Sequence, residues 1–162
     1  MPESFAGGLE AQSRTRVVDL LNGLLADALA LQMATKEAHW NIKGPGFIGV
    51  HELLDVVATR LRDNSDEIAE RAVALGGLAR GTLEAVAEAS RVEPYPQEAV
   101  EMRDHLQALV ERFKGVGARV RRGIEDADEA GDSDTADLLT EVSTQLDKDT
   151  WLIGANLPPR EQ

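Results

Sequence analysis

Residues 39–71 read HWNIKGPGFIGVHELLDVVATRLRDNSDEIAER, and this stretch contains two of the three histidines of the 162-residue chain. A Gly-Pro-Gly sequence at 44–46 interrupts two helix-like segments, because proline disfavours the helical conformation in the residue before it and glycine supplies the backbone angles of a tight turn. The stretch therefore predicts a helical hairpin. His39 lies six residues before Pro45 and His51 six residues after it, so an antiparallel hairpin brings the two imidazoles to the same height.

The second arm of the hairpin carries four potential metal ligands on one stripe. They fall within about 100° of one another around the helix axis when each residue advances by about 100°. The apolar residues occupy a separate face, which we expect to bury against the core. The four ligands are His51, Asp55, Asp66 and Glu70, and the apolar residues are Leu53, Leu54, Val57, Leu61, Ile68 and Leu75.

The spacing along this arm points to a site between two chains. His51 and Asp66 are separated by about 22 Å along the helix axis, which no single metal ion can bridge. Two copies packed antiparallel about a two-fold axis would place the His51 end of one helix opposite the Asp66 end of the other. Imidazoles and carboxylates without a thiol suit Fe(II), Mn(II) or Zn(II) better than Cu(I) or an iron-sulfur cluster. A charged stripe is also typical of a solvated helix face, and spacing alone leaves that alternative open.

At these residues the chain resembles the Dps family, the DNA-binding proteins from starved cells, also called miniferritins. The resemblance rests on His39-Trp40-Asn41, Gly44-Pro45, Phe47, His51, Asp55, Asp66 and Ile68-Ala69-Glu70-Arg71. It implies a ferritin-like four-helix bundle that assembles into a hollow homo-dodecamer with ferroxidase sites between subunits. The residues implied as both catalytic residues and metal ligands are His39, His51, Asp55, Asp66 and Glu70.

The resemblance also implies an activity. Fe(II) would be oxidised at a di-iron site by hydrogen peroxide in preference to dioxygen, ferric mineral would be stored in the hollow shell, and DNA would thereby be protected from oxidative damage. Zinc or manganese would compete with iron for the same ligands. Two alternatives remain open: a shell that binds DNA and has little ferroxidase activity, and a helical oligomer whose metal site is vestigial.

Charge and composition narrow the function further. The formal net charge of −12 excludes a general attraction to nucleic acid or anionic membranes and favours cations, and the absence of cysteine excludes disulfides and thiolate metal sites. The resemblance implies that DNA-binding relatives use a lysine-rich terminal tail, whereas residues 1–14 here contain no lysine. Because the negative charge of the chain also repels phosphate, we expect weak or no direct DNA binding. We see no secretory signal, and we expect no apolar stretch that approaches the ~20 residues of a membrane span. A soluble cytoplasmic protein is expected, with association with the nucleoid left open.

Apolar residues at helical spacing predict an all-α chain with four long helices. These are predicted at about 15–42, 47–75, 97–124 and 133–156. About twenty residues separate the second helix from the third, which is the long crossover of the ferritin-like topology, and a short helix is predicted within it at 83–89. We expect a flexible segment at 1–14, the bundle at 15–157 and a short tail at 158–162.

Seven acidic residues and no basic one lie between Glu125 and Asp137. Such a run is typical of a solvated turn that precedes a helix, where acids interact favourably with the helix dipole. The resemblance implies a second role, since the corresponding region of Dps proteins lines three-fold pores through which iron enters. The pore residues implied here are Asp128, Asp132 and Asp137, whereas Ser133 stands where some relatives carry an acid.

Three further features receive a structural interpretation. We expect His105 to lie at the surface, and Trp40 and Trp151 to pack in the core or at an interface. Arg119, Arg121 and Arg122 form a basic cluster, and we expect the last two to pair on a solvated face with Glu125 and Asp126, which lie four residues further on. No Glu-x-x-His sequence occurs, which argues against a di-iron centre inside a single bundle.

Overall fold

A computed structural model describes residues 3–157, and within that range the chain forms five helices and no strand. In chain order they are α1 (Ala11–Asn41), α2 (Phe47–Ala74), α3 (Leu83–Ala89), α4 (Met102–Glu129) and α5 (Ser133–Gly154). The predicted all-α class, the four long helices and the short crossover helix are confirmed. The predicted tail at 158–162 lies outside the described residues.

The helices pair as two hairpins joined by the long crossover. α1 packs against α2, α4 packs against α5, and contacts of α1 with α4 and of α2 with α5 close the bundle. The short helix α3 lies on α1. The long connection between α2 and α4 is the single crossover that characterises the ferritin-like topology.

Two helix boundaries differ from their predicted positions. α1 begins at Ala11 rather than Thr15, and the residues before it contact the bundle, since the backbone N–H groups of Phe5 and Ala6 donate to the Ala74 carbonyl. α4 begins at Met102 rather than Gln97, because residues 97–101 form a turn after the Pro-Tyr-Pro sequence. α4 also continues through the acids that follow Ile124 and reaches Glu129.

Glycines in the left-handed conformation mark the two ends of α2. Gly46 precedes the helix with φ of +77°, and Gly76 follows it with φ of +83°. At the second position the N–H of Gly77 donates to the Ala72 carbonyl at 2.9 Å, which satisfies an end carbonyl of the helix in the manner of a Schellman cap. The turn that was predicted from Gly-Pro-Gly is therefore present and directs α2 back along α1.

The core is aliphatic, with Phe113 as its one fully buried large aromatic side chain among the described residues. Of the predicted apolar face of α2, all residues are buried except Leu53, which is partly buried. The ligand stripe of α2 faces away from this core, as predicted, because Asp55, Asp66 and Glu70 are all exposed.

Within residues 3–157 one helix, α1, is long and apolar enough to cross a membrane by length and composition alone. The expectation that no stretch would reach this length and apolarity is therefore wrong. Half of its most apolar window is buried inside the bundle, and its Asp27 is fully buried and paired with two arginines. Core helices of soluble proteins pass the same test, and the packing of α1 against α2 and α4 accounts for its composition.

A buried carboxylate holds the crossover to the bundle. Asp27 of α1 accepts hydrogen bonds from the backbone N–H and the guanidinium of Arg91 on the crossover, both at 2.7 Å, and from Nε of Arg119 on α4 at 2.8 Å. The predicted pairing of Arg121 and Arg122 with Glu125 and Asp126 is wrong, since no such ion pair forms among the described residues and Asp126 lies near Arg16. Arg121 instead pairs with Asp147 of α5.

Candidate metal centre

Two histidines face each other across the α1–α2 hairpin at the predicted height. The imidazoles of His39 and His51 are stacked, with ring centroids 3.7 Å apart and planes inclined by 19°. Nδ1 of each ring lies 2.9 Å from the backbone carbonyl oxygen of the other residue. A carbonyl oxygen can only accept, so both Nδ1 atoms carry a proton and donate it, and in the neutral form of each ring Nε2 presents a lone pair. The hydrogen bonds thus prepare both rings as metal ligands through Nε2.

A carboxylate completes this part of the site. Oδ1 of Asp55 lies 3.9 Å from Nε2 of His39, and the side chain is exposed. The same oxygen accepts a hydrogen bond from the ammonium of Lys36 at 2.8 Å. This bond, with the positive charge that makes it, holds the pKa of the Asp55 carboxyl below its usual value. The carboxylate is therefore ionised and already pairs with a cation.

Asp66 and Glu70 lie farther along α2 and do not join this group within one chain. Across residues 3–157 no cluster of three or more histidine, aspartate or glutamate side chains converges as a metal site. Asp66 instead lines a separate surface cavity of about 500 Å³, together with Leu25, Leu29 and Ala69. One chain thus carries two separated groups of candidate ligands, and whether they bind metal stays a prediction.

One residue of the acidic run at 125–137 has a structural role in the fold. Asp132, one of the three predicted pore residues, is buried and caps α5 by accepting from the backbone N–H of Thr135. Arg71 donates to it as well, at 2.6 Å. Asp132 is therefore a buried helix cap, and its predicted place in a pore stays a prediction. The other six acids of the run are exposed: Glu125, Asp126, Asp128, Glu129, Asp134 and Asp137.

Three other expectations have different outcomes. His105 was expected at the surface but is 1% exposed, because the crossover covers it and the Tyr95 hydroxyl bonds to its Nδ1 at 2.6 Å. Trp40 and Trp151 do not pack in the core of one chain, since 59% and 66% of their surfaces are exposed. Whether they lie at an interface stays a prediction.

Sequence reasoning missed Lys36. The sequence spacing indicates its position, because Lys36 lies nine residues before Pro45 and Asp55 lies ten residues after it. The hairpin that brings the two histidines together therefore also brings these two side chains together. Its ammonium also lies 5.7 Å from the ring centre of Trp40, within cation–π distance.

Comparison with known proteins agrees with this geometry. A family model described as a ferritin-like domain matches residues 18–158. The "DNA protection during starvation protein" of Agrobacterium fabrum is 46% identical over 149 residues, which cover 92% of both chains. The chain belongs to the Dps family of ferritin-like proteins.

Solved Dps structures share the whole fold. A tetragonal form of Mycobacterium smegmatis Dps superposes with a TM-score of 0.92 at 33% identity, covering 98% of this chain and 96% of that one. The Dps protein of Vibrio cholerae, described as a member of a broad superfamily of ferritin-like diiron-carboxylate proteins, superposes with a TM-score of 0.86 at 27% identity and covers 94% and 95% of the two chains. The likeness therefore extends over the four-helix bundle and the crossover of this Dps-family chain.

Proposed function

We propose that this Dps-family protein is a ferroxidase that oxidises Fe(II) at sites shared by two subunits and stores the ferric product inside a hollow homo-dodecamer. One observation carries the proposal: the two free Nε2 lone pairs and the Asp55 carboxylate form half of a ligand set, whereas Asp66 and Glu70 are displaced along the same exposed helix face. A two-fold axis that reverses α2 brings the two halves together and creates two equivalent sites.

Exposed apolar side chains on the same hairpin support this association. Trp40 of α1 and Ile48 and Val56 of α2 each leave at least half of their surface exposed in the single chain. Leu78 and Leu83, which follow α2 in the crossover, are exposed as well. Apolar side chains concentrated around one polar site are typical of a surface that is covered by a partner. We propose that a second copy of the chain covers them.

The proposed roles follow from the chemistry of each side chain. His39 and His51 bind Fe(II) through Nε2, Asp55 binds or orients the same ion, and Asp66 of the partner subunit supplies a further carboxylate. Glu70 of the partner subunit would bridge two irons. Two Fe(II) ions then supply the two electrons that reduce one hydrogen peroxide to water, so no hydroxyl radical is released. We propose hydrogen peroxide as the preferred oxidant over dioxygen, with Zn(II) and Mn(II) as competitors of Fe(II) for these N and O ligands.

Iron would reach the cavity through an acidic opening. The exposed carboxylates of Asp128, Asp134 and Asp137 surround the turn between α4 and α5. Three copies of such a turn around a three-fold axis would create a negative funnel that raises the local concentration of cations. Asp132 supports this turn from inside by pairing with Arg71.

Protection of DNA would follow from removal of Fe(II) and peroxide, without direct binding. The charge of −12 per chain is multiplied in an assembly and repels phosphate. We therefore propose a cytoplasmic location without tight association with the nucleoid. A gel shift at physiological salt tests this point, since strong retardation of DNA by the intact protein would favour the alternative of a DNA-binding shell.

Mixed assemblies test whether the site is shared. We expect His39→Ala and Asp66→Ala homo-oligomers each to lose rapid Fe(II) oxidation by peroxide in stopped-flow measurements. When the two variants are unfolded together and reassembled in equal amounts, about a quarter of the sites should regain a complete ligand set, because a mixed two-fold pair has one intact site. Activity near that fraction would support the shared site.

The controls separate assembly from chemistry. Each variant, unfolded and reassembled alone, should remain inactive, and light scattering should show the same oligomer for all samples. If mixing restores nothing although mixed oligomers form, each chain carries its own site and the proposal fails. Unchanged iron binding and oxidation in Glu70→Ala would instead indicate a vestigial site.

A further inference from the structure

The chain's single tyrosine is paired with a buried histidine outside the candidate metal centre. Oη of Tyr95 on the crossover lies 2.6 Å from Nδ1 of His105 on α4, and the two rings are stacked at 5.9 Å with planes inclined by 20°. His105 is 1% exposed. Neither side chain has a part in the proposed ferroxidase site.

The protons of this pair can be placed. Burial lowers the pKa of His105, so its imidazole is neutral at neutral pH, and burial raises the pKa of Tyr95, so its phenol keeps its proton. Among the described residues the Tyr95 hydroxyl has no acceptor other than Nδ1 of His105. In the tautomer of His105 that carries its proton on Nε2, the phenol donates to Nδ1, and a neutral base is already hydrogen-bonded to the phenol proton.

This arrangement suits loss of an electron and a proton together. A phenol that loses one electron becomes a strong acid, and the hydroxyl of Tyr95 is hydrogen-bonded to the imidazole of His105. His105 accepts the phenol proton across an existing short hydrogen bond. Carboxylates of Glu37 and Asp104 favour the resulting imidazolium. The Arg112 guanidinium, 5.3 Å from the Tyr95 ring centre, disfavours a charged ring and thus favours the neutral phenoxyl radical as the product.

We propose that Tyr95 and His105 form a second redox site that reduces oxygen-centred radicals formed when Fe(II) and peroxide react one electron at a time. Tyr95 gives one electron to a hydroxyl radical, which becomes hydroxide, while the phenol proton moves to Nδ1 of His105. A further Fe(II) returns one electron to the phenoxyl radical, becomes Fe(III), and the proton returns from His105 to the phenol. The source of the radicals rests on the proposed function, whereas the redox chemistry of the pair does not.

Small oxidants can reach the pair. Tyr95 lines a surface cavity of about 410 Å³ that also contains Met33 and Glu37 of α1. Arg112 keeps the segment before Tyr95 in place by donating to the backbone carbonyls of Glu93 and Pro94. The phenol edge is therefore open to a small radical, while its proton acceptor is closed to water.

An iron-free experiment tests the pair itself. Azide radicals made by pulse radiolysis oxidise the intact protein, and the tyrosyl radical is followed by transient absorbance and by electron paramagnetic resonance. Because Tyr95 is the chain's only tyrosine, the signal must vanish in Tyr95→Phe. In His105→Gln, which keeps a hydrogen-bond acceptor but removes the base, we expect formation to be about a hundredfold slower, the lower end of what a positioned proton acceptor contributes. In wild type it should also be slower in D₂O.

Equal rates in wild type and His105→Gln, or no tyrosyl signal in wild type, would overturn the proposal. Thermal unfolding shows whether each variant is folded. In a second arm, Fe(II) and peroxide replace azide radicals, and iron oxidation is recorded in the same wild-type samples. Rapid iron oxidation without any tyrosyl radical would overturn the scavenging role. Iron oxidation no faster than in buffer would contradict the proposed ferroxidase, while the azide arm would still decide the redox pair.

Discussion

Lys36 and Asp55 form an ion pair inside the candidate metal centre. Nζ of Lys36 lies 2.8 Å from Oδ1 of Asp55, the oxygen that also faces Nε2 of His39. The Lys36 ammonium therefore pairs with the Asp55 carboxylate, which is a ligand of Fe(II) in the proposed site. A divalent ion that binds Asp55 must share or displace this charge, so under the proposed function Lys36 would oppose metal binding.

Replacement of Lys36 by glutamine should strengthen metal binding. We expect Zn(II), used as a redox-inert substitute for Fe(II), to bind Lys36→Gln severalfold more tightly than wild type in calorimetric titrations, because a positive charge leaves the site. The matched control is Lys148→Gln, which removes the same charge from an exposed position on α5. Equal Zn(II) affinity for wild type and both variants would show that Lys36 does not compete with the metal.

Two substitutions of His51 can separate its hydrogen bond to the His39 carbonyl from its proposed role as a metal ligand. The side-chain amide of His51→Asn can place an N–H near the position of Nδ1 and still donate to the His39 carbonyl, but it has no counterpart of Nε2. We expect this variant to keep the wild-type unfolding temperature and to lose rapid Fe(II) oxidation. His51→Ala should lose both, with a cost of about 1 kcal/mol for the missing hydrogen bond. Rapid oxidation in His51→Asn would exclude Nε2 of His51 as a ligand.

The hairpin explains why half of the site could be predicted from sequence. Proline and glycine at 44–46 define the point of reversal, so residues equidistant from it must face each other, and His39 and His51 do so. The exposed position of Asp66 followed from the helix period alone. The N-cap role of Asp132 also follows from sequence, because an aspartate directly before a helix that begins at 133 is a preferred capping residue.

Other features depend on contacts between distant parts of the chain. The burial of His105 requires the path of the crossover, which periodicity does not describe. The two arginines that bind Asp27 lie 64 and 92 residues away along the chain, so local spacing does not indicate them. The exposure of Trp40 in a single chain reflects a surface whose partner, under the proposed function, is a second copy.

Loss of the buried Asp27 carboxylate should be costly. In Asp27→Asn the guanidinium of Arg119, which is 16% exposed, would remain without a counter-charge. Breaking a buried pair in this way costs about 3 kcal/mol, so we expect the unfolding temperature to fall by about 10 °C. Asp19→Asn, an exposed aspartate on the same helix, should change it little. A similar small shift for both variants in calorimetry would show that the Asp27 cluster contributes no net stability.

His105 should make the fold sensitive to mild acid. In the unfolded chain its pKa is near the ordinary 6.5, whereas burial lowers the pKa in the folded protein. As the pH falls below about 6.5, the unfolded chain takes up a proton that the folded protein does not, so the free energy of unfolding decreases. The loss stops once the pH passes the folded pKa, because both states are then protonated.

The variant His105→Gln isolates this contribution. We expect its unfolding temperature to be lower than that of wild type at about pH 7.5 but to fall less between about pH 7.5 and about pH 5.5, because glutamine does not titrate. Tyr95→Phe is the matched control, since it alters the same contact but keeps the buried imidazole, and it should retain the wild-type pH dependence. If His105→Gln and wild type lose the same number of degrees at matched protein concentration, His105 is not protonated differently in the two states.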